Sequence, residues 1–130
     1  MKKGLFILAV VVIPILFLNS CQKDCETDNP TVYQSWTRKV VDADGLEFLA
    51  ELRINTNNTF DFILLEEAPG HSNTTADLTF ESNLMHVDDN DCEGRGTYEF
   101  AVSLETFSLF AKEDDCEPRV IALQGIWKKK

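Results

Sequence analysis

Thr97-Tyr98-Glu99-Phe100-Ala101-Val102-Ser103-Leu104-Glu105-Thr106-Phe107-Ser108-Leu109-Phe110-Ala111 is the stretch that decides the fold. Tyr98, Phe100 and Val102 alternate with Thr97, Glu99 and Ala101. This is the period of two in which successive side chains point to opposite faces of a sheet. Leu104-Glu105 can close a two-residue turn. With that turn, Val102 stands opposite Phe107, Phe100 opposite Leu109 and Tyr98 opposite Ala111. Both apolar sets then land on one face, as a hairpin with a single buried face requires.

The same grammar extends in both directions. Val32 to Val41 carries Val32, Tyr33, Trp36, Val40 and Val41, and Asp42-Ala43-Asp44-Gly45 follows as a turn. Leu46 to Asn55 ends with Leu52 and Ile54 on one face and Arg53 on the other. Asn57-Asn58 predicts a hairpin turn, because Asn tolerates positive φ. Thr59 to Leu65 returns with Phe60 and Phe62 on one face. Glu66 to Thr75, with Pro69-Gly70, reads as a longer loop. Ala76 to Phe80 and Asn83 to Val87 read as short strands, Asp88 to Gly94 as an acidic loop, and Val120 to Trp127 as the last strand. The expectation is an all-β domain of about eight short antiparallel strands, a small barrel or a sandwich. A barrel has the advantage of leaving no sheet edge unpaired.

Counting the hairpin register outward puts Cys92 opposite Glu117, next to Cys116. A Cys92–Cys116 bridge is then within the Cα separation that a disulfide needs. It would close a loop of about 25 residues, worth roughly 3 kcal/mol on the chain-entropy model. The rival pairing joins Cys25 to one of these two.

The N-terminus reads differently. Met1-Lys2-Lys3 is a short positive start, and Leu5 to Leu18 carries no charge. Fourteen apolar residues are short for a membrane-spanning helix, which needs about 20, but they match the core of a secretory leader. Leu18-Asn19-Ser20-Cys21 resembles the bacterial lipobox, which implies cleavage before Cys21 and lipidation of its thiol. Gln22-Lys23-Asp24 resembles the Gln-Lys-acidic tag of surface-exposed lipoproteins of Bacteroidota. The expected organisation is a signal peptide over 1–20, a lipidated tether over 21–30 and a β-domain over 31–130. The protein would be held at the outer membrane by acyl chains on Cys21, either at the cell surface or facing the periplasm.

Charge narrows the partners. The whole chain carries a net charge of −10. Removal of Lys2 and Lys3 with the leader leaves 10 basic and 22 acidic residues, a net charge of −12. Such a surface repels nucleic acid and anionic lipid head groups alike.

Arg95-Gly-Thr-Tyr-Glu-Phe-Ala-Val, the short turn, Phe107-Ser-Leu-Phe and the closing Leu123-Gln124-Gly125-Ile126-Trp127 resemble the C-terminal half of the lipocalin-like lipoproteins of Bacteroidota. Trp36 and the Leu52-x-Ile54…Phe60-x-Phe62 hairpin fit the same resemblance, which covers most of the mature chain. Gln34-Ser35 stand where a lipocalin has the Gly-x of its first-strand Gly-x-Trp. The resemblance therefore implies a lipocalin-like barrel of about eight strands, complete or incomplete, and a fold more than a function.

Residues for chemistry are few. His71 and His86 have no metal-ligand spacing, and no nucleophile or phosphate-loop motif is present, so no enzyme and no cofactor is expected. Asp88-Asp89-Asn90-Asp91-x-Glu93 and Glu113-Asp114-Asp115-x-Glu117 become neighbours if Cys92 bonds Cys116. Asp88, Asn90, Asp91 and Glu93 are then candidate Ca²⁺ ligands, although they lack the EF-hand order; the alternative is a solvated charged face. Trp36, Phe60, Phe62, Tyr98, Phe100 and Trp127 are candidate ligand-binding aromatics, to be weighed against a packed core, because an eight-stranded barrel is either solid or holds one small ligand. The expected function is binding of a small lipophilic or glycan-like ligand. The alternative is a protein-interaction or accessory lipoprotein of an outer-membrane complex without a ligand cavity.

Overall fold

The computed structural model describes residues 29–130. The expected signal peptide, Cys21, Cys25 and most of the expected tether lie outside the described residues. The order of elements is β1 (Ser35–Val41), β2 (Glu47–Ile54), β3 (Thr59–Leu64), β4 (Thr74–Glu81), β5 (Leu84–Asp88), β6 (Gly96–Val102), β7 (Thr106–Glu113), α1 (Glu117–Leu123) and β8 (Gly125–Lys129). All eight strands are antiparallel to their neighbours and form a closed barrel in sequence order.

The β6–β7 hairpin has the register that its alternation predicts: Val102 pairs with Phe107, Phe100 with Leu109 and Tyr98 with Ala111. One residue further the ladder slips, so that Thr97 faces Glu113. Asn58 takes φ 60 between β2 and β3, and Gly45 takes φ 84 between β1 and β2, as the turn chemistry demands. Closure comes from two pairs between the first and last strands, Trp36 with Lys129 and Thr37 with Lys128.

One expectation needs correction. Val120 to Trp127 is not a single strand. Glu117–Leu123 is a helix with Pro118 in its first turn, and the strand begins only at Gly125. Proline pre-sets φ for a helix start. Leu123 then enters the core, with Ile121 and Ala122 packed against it, on a helical rather than a strand period. Arg38 Nη2 donates to the carbonyls of Ile121 and Ala122, satisfying groups that a helix C-terminus leaves bare.

Rings fill the interior. Trp36, Tyr98, Phe107 and Trp127 are fully buried, with Phe48, Leu52, Met85 and Leu109 around them. Trp36 and Phe107 lie 5.4 Å apart by ring centroid, and Phe107 continues through Phe100 to Phe80. Both indoles are satisfied locally. Trp36 Nε1 donates to Val32 O, and Trp127 Nε1 donates to Leu123 O. Val32 and Trp36 seal the end at which the chain enters. Helix α1, the 42–45 turn, the 65–73 loop and the 89–95 loop gather at the opposite end.

Gly125 sits where the chain turns from helix into strand. Its φ is +141, and a Cβ there would lie 2.7 Å from Arg38 Nη1. The Arg38 guanidinium in turn stacks over Trp127, 4.9 Å from the ring centroid. Gly125→Ala should therefore strain the backbone and displace Arg38. The expected cost is about 1–3 kcal/mol, read as a lower urea midpoint with an unchanged slope.

Candidate functional site

At the helix end, Arg119 is buried inside a ring of acceptors. Its Nε and Nη2 grip the two carboxylate oxygens of Asp114, each at 2.7 Å. Nη1 donates to Asp89 Oδ2 at 3.1 Å, and both Nη atoms donate to Gly94 O. All five guanidinium N–H groups are thereby used. Asp114 also accepts from the Tyr98 hydroxyl and from the Cys116 backbone N–H. Asp89 Oδ1 accepts from the backbone N–H groups of Asp91 and Cys92. The Cys92–Cys116 disulfide is formed beside this network, with the two Cα atoms 5.9 Å apart.

The local fold explains the placement. Gly96 and Tyr98 point the same way from β6. Gly96 leaves room that a side chain would take from Asp114 and Arg119. Tyr98 reaches past it to the carboxylate. Burial alone would raise the pKa of Asp114, but hydrogen bonds from Arg119 and Tyr98 outweigh it and hold the acid below the usual carboxylate range. Burial, reinforced by the neighbouring Asp114 carboxylate, pushes the Tyr98 phenol far up, so it stays a donor. The Asp114 carboxylate raises Arg119 further.

Two cavities open above this network. One, of about 260 Å³, is lined by Phe60, Phe62, Thr74, Asp91, Arg119 and Leu123 among others. The other, of about 320 Å³, is lined by Val40, Phe48, Asp42, Asp44, Glu117 and Ile121 among others. Phe62, Gly70, His71, Pro118 and Ala122 border both. They are thus two lobes of one cleft, parted by the Gly70-His71 segment. His71 stacks on Phe48 at 4.6 Å and its Nε2 lies 2.9 Å from Asp42 Oδ2. The hydrogen bond with His71, followed by that from the Leu46 N–H, holds Asp42 below the usual range.

The aromatic residues singled out by sequence divide in two. Phe60 and Phe62 line the cleft. Trp36, Tyr98 and Trp127 are packed in the interior, and Phe100 lies half-buried between Phe80 and Phe107. The candidate calcium ligands do not converge. Asp88 pairs with Arg95 at 2.9 Å, Asn90 and Glu93 are exposed, and Asp91 stands at the cleft rim near Thr74. The two acidic clusters do meet, but around Arg119. Among the described residues, no group of three or more His, Cys, Asp or Glu is placed to hold a metal ion. His86 bonds Thr97 and approaches Glu81 away from the cleft.

Arg119, Asp114 and Asp89 escaped the sequence reading as a unit. The available signal was a lone arginine three residues beyond Cys116, within reach of two acidic runs that the disulfide brings together. Comparison of the chain with protein-family models, with curated proteins and with solved structures returned no match.

Breaking this buried pair should be severe. Arg119→Met leaves Asp114 and Asp89 buried and unpaired, at a cost of about 3–5 kcal/mol. Asp114→Asn tests the titration. A carboxylate whose folded pKa lies below its unfolded value, near 4, stabilises fully above that value and loses its contribution as pH falls through the folded pKa. The parent protein should therefore lose stability below about pH 4, and Asp114→Asn should flatten that part of a melting-temperature profile.

Proposed function

We propose that this chain is a lipid-anchored extracytoplasmic binding module with a lipocalin-like barrel. In this reading Cys21 carries the acyl chains, and the cleft at the helix end takes a small lipophilic or glycan-like ligand. The observation that carries it is the two-lobed cleft, which has an apolar floor of Phe62, Pro118 and Ala122 beneath a polar rim. A mostly apolar concavity with a few convergent polar groups is the usual form of a small-molecule site. The rings inside the barrel leave the mouth, rather than a deep calyx, as the place for a ligand. The cleft also lies at the end away from the chain's entry, so a tether from Cys21 would leave it open to solvent.

The rim chemistry narrows the ligand. Asp44, Asp91 and Glu117 border the cleft, while Arg119 is already engaged by Asp89 and Asp114. A neutral or cationic head group suits such a site, whereas a carboxylate or phosphate head group meets like charge. His71 is committed to Asp42 and Phe48, which favours a binding role over an enzymatic one. The second reading, an accessory lipoprotein that contacts protein partners through its acidic rim, draws support from the solid barrel interior.

Two measurements test this. Intact mass of the mature protein should show a chain starting at Cys21 with diacylglycerol and acyl additions; an unmodified Cys21 removes the anchor. For the cleft, octyl glucoside, octylammonium and octanoate can be titrated below their micelle concentrations and followed by amide NMR. The neutral and cationic probes should shift residues 69–72 and 118–123, with octanoate roughly ten-fold weaker, about 1.4 kcal/mol. Ala122→Trp should abolish the shifts by filling the shared floor. Silence with all three probes, together with a co-purifying protein, would favour the second reading.

A further inference from the structure

Five lysines occur among residues 29–130: Lys39, Lys112, Lys128, Lys129 and Lys130. All of them lie on β1, β7 and β8 or immediately after β8. These three strands together carry one acidic residue, Glu113. The other acids of the described domain are on the remaining strands, the loops and the helix. The negative charge of the domain is therefore segregated, and one side of the barrel escapes it.

That side is also apolar. Phe110 and Ile126, each 63% exposed, are the most exposed of the large hydrophobic residues. Ser108 pairs with Ile126, and Thr37 pairs with Lys128. By the alternation of the strands, Phe110, Lys112, Ile126, Lys128 and Lys39 all stand on the outer face of three adjacent strands. Lys39 reaches Glu47 at 3.2 Å and Lys112 reaches Glu99 at 2.7 Å. Both are exposed pairs of the kind that exchange readily for other anions. Lys130 is held by Glu51. The face continues to the entry end of the barrel, where Lys129 pairs with Trp36 and Lys130 N donates to Ser35 O. The C-terminal lysines therefore stand beside the point at which the chain arrives from residues before Asn29. Eight peptide units separate Cys21 from Asn29, a reach of at most about 28 Å at roughly 3.5 Å per residue.

We infer that the β7–β8–β1 face rests on the anionic surface of a bilayer, with Phe110 and Ile126 at head-group depth and Lys39, Lys112 and Lys128 on lipid phosphates. The proximity rests on the lipid anchor proposed above; the recognition rests on charge and exposed apolar area alone. In this orientation the barrel lies on its side and the cleft opens along the membrane plane. The acidic strands face away, so the repulsion expected from overall charge acts on the far side of the molecule.

The test uses the mature chain from residue 21 with Cys21→Ser, which removes any acyl contribution, in sedimentation with vesicles. Phosphatidylethanolamine vesicles containing phosphatidylglycerol should bind it roughly ten-fold more than phosphatidylcholine vesicles, and added salt should weaken the binding. Lys112→Glu with Lys128→Glu, and separately Phe110→Ser with Ile126→Ser, should each remove most of that binding while the circular dichroism spectrum and melting temperature are retained. Arg95→Glu, on another side, should change nothing. Equal binding to both vesicle types, undiminished binding by the folded variants, or retention of an acidic protein in place of vesicles would overturn the proposal. Acylated Cys21 with no preference for anionic vesicles would sink this face alone, and unmodified Cys21 with that preference intact would sink the anchor alone.

Discussion

The helix end of the barrel depends on one guanidinium. Helix α1 is seven residues long, and its N-cap, Cys116, makes no side-chain capping bond. A helix this short has no stability of its own. Arg119 anchors it by its first turn to the β5–β6 loop and to the end of β7, and Arg38 holds its last carbonyls from β1. The disulfide joins the same two segments covalently. The position of the helix decides whether the cleft exists, because Pro118 and Ala122 form part of its floor. The cleft is thus held open by charges that take no direct part in apolar contact.

Two glycines show how the two arginines are accommodated. Gly96-x-Tyr98 and Gly125-x-Trp127 share a pattern in which the missing side chain makes room for a guanidinium and the aromatic residue two positions on lies against its network. Their physical meaning is close packing of a cation against a strand. That need arises from the fold itself.

The hairpin from Thr97 to Ala111 was legible because one face is buried and its period is two, so only one register puts every ring inside. The disulfide was legible through the same register, although a slip at Thr97–Tyr98 means that loops rather than the ladder complete the approach. Helix α1 was not legible, because Val120, Ile121 and Leu123 suit a strand as well as a helix, and only the pairing of β8 with β1 and β7 decides between them. The aromatic candidates were ambiguous for a related reason. Sequence places Trp36 and Trp127 on the inner face of a barrel, but whether an inner face meets other rings or an empty cavity depends on how many rings meet there. Arg119 could not be read at all, since its partners come from positions 89 and 114, which only the folded chain brings together.

The seam of the barrel carries a consequence for how the molecule comes into being. Thr37 and Lys128, 91 positions apart, belong to the two strands that close the ring. Every other strand can zip to its neighbour as it is made, but this last ladder waits for the C-terminus. Folding is thus governed by a long-range contact, which slows it, and the chain remains an open ribbon with two bare edges until β8 is in place. Loss of Lys128 and Lys129 would remove both pairs that close the ring and leave the ribbon open to pairing with another chain.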